Sequence, residues 1–420
     1  MTKPGHALAC PVFVLKAMKV FFRTIHLYLS LAAGIIIFCS CLTGTMLVFE
    51  KEIEHTLHPK RYYVQPAAIR LSLEQLIKAA RQHAPKAKLA SVMVFNDAAR
   101  TVEIGLIVPE KKDRGGKAAQ RENRKPVMAK GGKDSKGKEA DRPNLSVFVN
   151  PYTGQVTGEY SRKQSFLYSV EMFHRFLLAG KDSLGDWVVS ISTLLFLFIL
   201  ITGVILWWPK TKNIMKQRLK IKWGGSTKRL VHDLHLVTGF YTSLFLIVIA
   251  LTGLIMTFKL ANQALFAITG SKLIKEQPKA PQSKYQPGAE ALKIDAALQV
   301  VAAQTALADY YTVRVPKDSL AVYSINVLPK GAVETAADTY YVDQYSGGIA
   351  GSQLFAGKSL GQRVRAYVKP VHTGSVYGLP TKIISFIVCL LSLIFPVTGV
   401  MMWLNRTRKK PKVHRTMELV

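Results

Sequence analysis

Four runs of the chain contain no Asp, Glu, Lys or Arg: Leu27 to Phe49, Trp187 to Trp208, Leu234 to Phe258 and Ile383 to Leu404. Each reaches the ~20 residues a helix needs to cross the hydrocarbon core of a bilayer. A backbone surrounded by lipid has to satisfy its own hydrogen bonds, so four spanning helices are predicted. Lys16, Lys19 and Arg23 precede the first run as they would in a secretion signal. That run is longer than a signal's apolar stretch, however, and leads into Phe49-Glu50-Lys51-Glu52 with no small-residue cleavage site. It reads as an uncleaved anchor.

Charge then sets orientation. A formal net charge of +31 would suggest nucleic acid in a soluble chain. Here the cations flank the spans: eight Lys and Arg and no acid lie between Lys210 and Arg229, and a further cluster runs from Arg406 to Arg415. The positive-inside bias places that loop and both termini in the cytoplasm, with the lipid bilayer and not nucleic acid as the partner. The two long segments then lie in the periplasm of a bacterial inner-membrane protein.

The chain also repeats itself. His26 and Gly44 are separated by the same interval as His235 and Gly253, and each glycine follows a threonine near the end of a span. His174 and His372 each precede another span, ending in Thr202-Gly203-Val204 and Thr398-Gly399-Val400. Outside the spans, Phe148 to Gly154 matches Tyr341 to Gly347 at one constant offset, which Gly158 and Gly351 share. Both outer segments read as α+β. In the first, a capping box (Ser72, Gln75) starts a helix, and strands are expected at Leu89–Phe95, Thr101–Val108 and Leu145–Asn150, with another after the turn Pro151–Gly154. In the second, a helix at Ile294–Gln304 precedes strands at Tyr311–Val315, Ala321–Val327 and Thr339–Val342.

The expected organisation is therefore a cytoplasmic segment 1–26, a helix 27–49 and an outer domain 50–166 interrupted by a basic, disordered loop 110–142. A His segment with the second helix, 167–208, leads to a basic cytoplasmic loop, 209–233. The third helix, 234–258, a second outer domain, 259–368, a His segment with the fourth helix, 369–404, and a tail, 405–420, complete it. The fold class is a membrane α-helical, four-helix transmembrane bundle from a duplicated unit whose halves run parallel about an axis along the membrane normal.

Ionisable or coordinating residues at spanning helices are costly and so are functional candidates. His26 and His235 both open helices running outward, so both lie toward the cytoplasmic side. His174 and His372 both precede helices running inward, so both lie toward the periplasmic side. Two His on facing helices of a bundle meet the needs of an axial haem site. Zinc is the alternative; it requires further ligands, for which His232 and Asp233 stand near His235. The cysteines Cys10, Cys39, Cys41 and Cys389 form no CxxC or CxxCH motif, so a haem would be bound non-covalently. Gly34, Gly44, Gly203, Gly239, Gly253 and Gly399 allow a planar group or a neighbouring helix to approach. Trp207, Trp208 and Trp403 fit an interfacial aromatic belt. Arg23, Arg175, Arg229 and Arg365 are placed either to snorkel or to pair with haem propionates. Pro396 is expected to kink the last helix.

His26 to Gly44, Phe173-His174-Arg175 with Trp207-Trp208-Pro209-Lys210, Asp233-Leu234-His235 with Thr238-Gly239, and Val371-His372-Thr373-Gly374 resemble, in order and doubling, the PepSY-associated transmembrane family. The outer segments look like PepSY-type domains. The resemblance implies two PepSY-like periplasmic domains and two haem b groups, each held by two His: His26 with His235 and His174 with His372. It also implies reduction of ferric siderophores in the periplasm during iron uptake. No GxGxxG occurs in a βαβ setting, so the electron donor is separate, a quinol or a cytoplasmic flavoprotein. The alternative is a membrane-anchored PepSY module that binds or regulates a periplasmic partner without redox chemistry.

Overall fold

The computed structural model describes residues 11–109, 143–273, 279–285 and 287–407, with side chains from residue 18 onward. The basic segment 110–142 expected to be disordered lies outside them, as do His6, Cys10 and His414. The helices that matter here are α1 (Pro11–Leu47), α2 (Leu73–His83), α3 (Phe166–Phe176), α4 (Leu184–Trp207), α5 (Thr227–Thr257), α6 (Ile294–Ala302), α7 (Leu360–His372), α8 (Leu379–Ser392) and α9 (Ile394–Thr407). The strands are β1 (Lys88–Phe95), β2 (Val102–Ile107), β3 (Leu145–Val149), β4 (Val156–Tyr160), β5 (Ala308–Arg314), β6 (Tyr323–Pro329), β7 (Asp338–Val342) and β8 (Ile349–Gln353). The chain divides into two compact units, 1–50 with 169–270 and 364–420, and 51–168 with 271–363.

The first unit is helical and contains, among the described residues, four helices long and apolar enough to span a membrane: Met18–Leu47, Leu184–Trp207, Thr227–Thr257 and Leu379–Thr407. We number these spans 1 to 4. Span 1 packs on span 2, span 2 on span 3, and both parts of span 4 pack on spans 3 and 1, which closes a ring. Ala33 and Ile37 of span 1 bury against Ile199 of span 2. Leu200, Leu246 and Val388 bring spans 2, 3 and 4 together in a second apolar cluster, flanked by Phe196 and Phe395. Span 4 breaks between α8 and α9, at Leu393. Pro396 has no N–H for the carbonyl of Ser392 four residues earlier, and its ring crowds that oxygen.

The second unit is built on one antiparallel sheet of eight strands in the order β4-β3-β2-β1-β5-β6-β7-β8. Helix α2 starts with the expected capping box: Gln75 N donates to Ser72 Oγ (3.3 Å) and Ser72 N to Gln75 Oε1 (3.0 Å). Alternation along the strands sends Val92, Ile104, Val147, Val313 and Ile325 into one fully buried core beneath Leu76 and Ala80 of α2 and Ala297 and Val301 of α6. The two helices are tied together at their starts, where Leu73 N donates to both carboxylate oxygens of Asp295 (2.9 and 3.1 Å). The matching turns are built alike: Tyr152 N donates to Asn150 Oδ1 and Tyr345 N to Asp343 Oδ1, each at 2.9 Å. The outer segments, expected as two domains, thus share one sheet and one core. The reason is the pairing of β1 with β5, Val92 opposite Val313, which leaves neither half with an open strand edge there.

Candidate cofactor-binding site

The four repeat-related histidines all lie in the helical unit, and a common local structure places them. His26 sits about two turns from the start of span 1, and His235 about two turns from the start of span 3. His174 and His372 are on short helices, α3 and α7, that stop just before spans 2 and 4. Each stop is tight. Leu177, Leu178 and Asp182 adopt φ of 49°, 66° and 61°, uncommon for residues with side chains. After His372, Gly374 has φ +72°, and a Cβ there would come within 2.3 Å of Ser385 Oγ.

Every one of these rings is held by a threonine of a neighbouring span. His26 Nδ1 lies 3.0 Å from Thr202 Oγ1, His174 Nδ1 3.0 Å from Thr43 Oγ1, His235 Nδ1 2.8 Å from Thr398 Oγ1, and His372 Nδ1 3.2 Å from Thr252 Oγ1. His372 Nδ1 is also 2.9 Å from the carbonyl oxygen of Ile249. Each threonine spends its single proton on the backbone carbonyl four residues earlier: Thr202 on Phe198, Thr43 on Cys39, Thr398 on Ile394 and Thr252 on Val248. Its oxygen is then an acceptor toward the ring, so Nδ1 carries the hydrogen and Nε2 keeps its lone pair.

The glycine following each threonine makes room for the ring. A Cβ added at Gly203, Gly44 or Gly253 would stand 3.3, 3.4 or 3.2 Å from Cε1 of His26, His174 or His372, and one at Gly399 would stand 3.8 Å from Cε1 of His235. Four of the six glycines singled out in the sequence therefore seat imidazoles. Gly239 faces Phe395, and Gly34 faces open space. The sequence reading noted a threonine before each repeated glycine but gave it no role; its recurrence there was the available signal.

The contacts cross the bundle in a fixed pattern. The start of span 1 meets the end of span 2, and the start of span 3 meets the end of span 4, so successive spans run antiparallel. His26 and His235 come together with ring centroids 6.4 Å apart and planes at 82°. His174 and His372 come together with the same 6.4 Å separation and planes at 63°. Leu246 lies on span 3 between His235 and Thr252, so the Leu200–Leu246–Val388 cluster separates the two levels with apolar packing. Burial pushes the His174 imidazole down to about 4, with the neighbouring His372 as the second cause, and burial lowers His372 as well. Both rings are neutral at pH 7, as a metal-ligating imidazole must be.

The other residues considered in the sequence fall elsewhere. Asp233 is buried and committed to Arg229 Nε (2.8 Å) and Lys222 N (3.3 Å). His232 lies beside it (3.4 Å) with its side chain half exposed, and belongs to neither His pair. Among the described residues no group of three or more His, Cys, Asp or Glu is placed to hold a metal ion, so the zinc alternative has no ligand set there. Arg175 pairs with Glu171 (3.1 Å), Arg365 Nε donates to Asn262 Oδ1 (3.0 Å), and Arg23 is exposed.

A comparison with curated proteins finds no match. A family model described as the PepSY-associated TM region matches residues 23–406, which takes in all four spans but for the first residues of span 1 and the last of span 4, both His pairs and their threonine seats. The chain belongs to that family.

Proposed function

We propose that this protein is an oxidoreductase of the bacterial inner membrane, with both termini cytoplasmic, that binds two haem b groups and moves electrons across the membrane to reduce ferric siderophores in the periplasm. Each Fe(III)–siderophore takes up one electron, and Fe(II), a poorer fit for hard oxygen ligands, is released for uptake. A separate quinol or cytoplasmic flavoprotein supplies the electrons. The two halves of the chain, in this reading, are a duplicated unit, and the sheet is periplasmic.

One observation carries the reading: two pairs of imidazoles, each ring locked through Nδ1 so that Nε2 is free to ligate. A metal bound between two ring nitrogens at the ~2.0–2.1 Å usual for His would hold the centroids ~6.3–6.5 Å apart, which both pairs meet. Hence His26 with His235 would hold one haem, and His174 with His372 the other. Bound haem iron supplies the one-electron Fe(III)/Fe(II) couple. The chain's own residues do the rest. The threonines fix each ring's tautomer and angle, the glycines let the rings lie against the neighbouring helix, and the apolar layer between the levels excludes water.

The deciding measurement is a reduced-minus-oxidised visible spectrum of protein purified from haem-replete cells, followed by mixing of dithionite-reduced protein with ferric siderophores. Haem b bands that return to the oxidised form on mixing are expected. Protein that stays reduced with every ferric siderophore tried removes the reductase assignment. Protein without haem bands leaves the other reading, a membrane-anchored PepSY module that binds or regulates a periplasmic partner.

A further inference from the structure

Two tryptophans end span 2, and packing treats them oppositely. Trp208 is 67% exposed, as an interfacial anchor should be, and Trp403 at the end of span 4 is 37% exposed. Trp207 is only 6% exposed and does not belong to such a belt. Its indole is stacked on Phe240 of span 3, with centroids 3.7 Å apart and planes at 13°. Its Nε1 is buried and has no hydrogen-bond partner; among the described residues Arg100 Nε is the other buried side-chain nitrogen in that condition.

A tryptophan kept only for stacking wastes its N–H here, since phenylalanine would fill the same face without burying an unpaired donor. The location explains the choice of residue. Trp207 follows Gly203 by one helical turn on the same face, and Gly203 lies against the His26 ring. Phe240 is on the span that carries His235. The stack is thus built from the two helices that seat and supply the His26/His235 pair. Trp403 stands in the same relation to Thr398-Gly399 as Trp207 does to Thr202-Gly203.

We propose that the Nε1–H of Trp207 donates a hydrogen bond to a propionate carboxylate of the haem held by His26 and His235. The inference rests on the haem reading above and assigns one further residue to that site. A carboxylate drawn into an apolar span needs donors, and an indole N–H provides one without burying a second charge. Two basic groups near these span ends are otherwise engaged: Arg229 is held by Asp233, and Arg218 donates to the carbonyls of Leu206 and Trp207.

Trp207→Phe keeps the stack and removes only the donor. The expected result is an unchanged haem content, a more negative midpoint potential for the inner haem, and a shifted propionate bending mode in its resonance Raman spectrum. The potential falls because a less neutralised propionate favours Fe(III). An independent measurement needs no change at Trp207: the indole N–H band in ultraviolet resonance Raman should report a hydrogen-bonded tryptophan in the wild type that becomes free in His26→Ala. A Trp207→Phe protein with wild-type potential and propionate mode overturns the proposal, as does an indole band identical in wild type and His26→Ala. If Trp207→Phe does not fold, the indole band decides alone. If His26→Ala loses no haem, it is the haem reading that fails, which separates the two.

Discussion

The four threonine seats are alike in sequence and unequal in geometry, and that inequality is testable. Thr398→Val replaces a hydroxyl by a methyl of similar size at the oxygen 2.8 Å from His235 Nδ1, and among the described residues that ring nitrogen has no second acceptor. Thr252→Val makes the same change beside His372, whose Nδ1 retains the Ile249 carbonyl at 2.9 Å. A buried donor left unpaired costs ~1–3 kcal/mol. Loss of a group that orients a metal-ligating His typically lowers metal affinity ~10–100-fold, which is the same energy range. Thr398→Val is therefore expected to weaken haem binding at the His26/His235 pair ~10–100-fold. Thr252→Val, with its alternative acceptor, is expected to change the His174/His372 pair by less than ~3-fold.

The assay is haem titration of the apo protein in detergent, followed at the Soret band. His174→Ala isolates the His26/His235 site, and His26→Ala isolates the other. Thr398→Ser restores the oxygen together with its back-bonds to Ile394 and Phe395 and should return affinity to near the starting value; the loss of those back-bonds in Thr398→Val costs the helix little. Equal losses in Thr398→Val and Thr252→Val, or a Thr398→Val protein that binds as tightly as its parent, would refute the claim that these hydroxyls hold the rings.

Three further outcomes are expected. His26→Ala and His235→Ala should each remove one and the same haem, and His174→Ala and His372→Ala the other; pyridine haemochrome quantification showing a haem lost jointly by His26→Ala and His372→Ala would undo the pairing. Gly203→Val puts branched bulk where even a Cβ is 3.3 Å from His26 Cε1, so haem content should fall toward one per chain, whereas Gly34→Val, facing open space, should leave it unchanged. The third concerns acid. His174 is held at about 4 when folded, below its ordinary value near 6.5, so the unfolded chain binds more protons between those values. Its contribution to the stability of the haem-free protein is full above pH ~6.5 and is lost as pH falls toward ~4. Thermal melts across this range should show the decline, and His174→Gln should flatten it.

Much of this architecture was already legible in one dimension, where the determinant is local. A charge-free run long enough to cross a bilayer has few alternatives, so the four spans follow from length alone, and the proline break in span 4 follows from a missing N–H. Period-two alternation and the Ser72–Gln75 cap placed α2 and every strand but β8 within a few residues, because those signals act between near neighbours; the short Ile349–Gln353 strand was not foreseen. Repetition with membrane sidedness also picked out which His would meet which, since two helices with the same direction put equivalent residues at the same depth.

What connects different helices had to come from the packed structure. Nothing along the chain ties His26 to Thr202 or His235 to Thr398, because the contact is made across a helix–helix interface whose rotation is set by all the side chains along it. Likewise the outer segments read as two domains until β1 and β5 were seen to pair, a choice governed by burial of two edges rather than by either strand's own residues. Trp207 and Trp208 make the point most simply. They are identical and adjacent, and only the position of Phe240 and span 3 decides which one is buried with an unpaired N–H and which one is exposed.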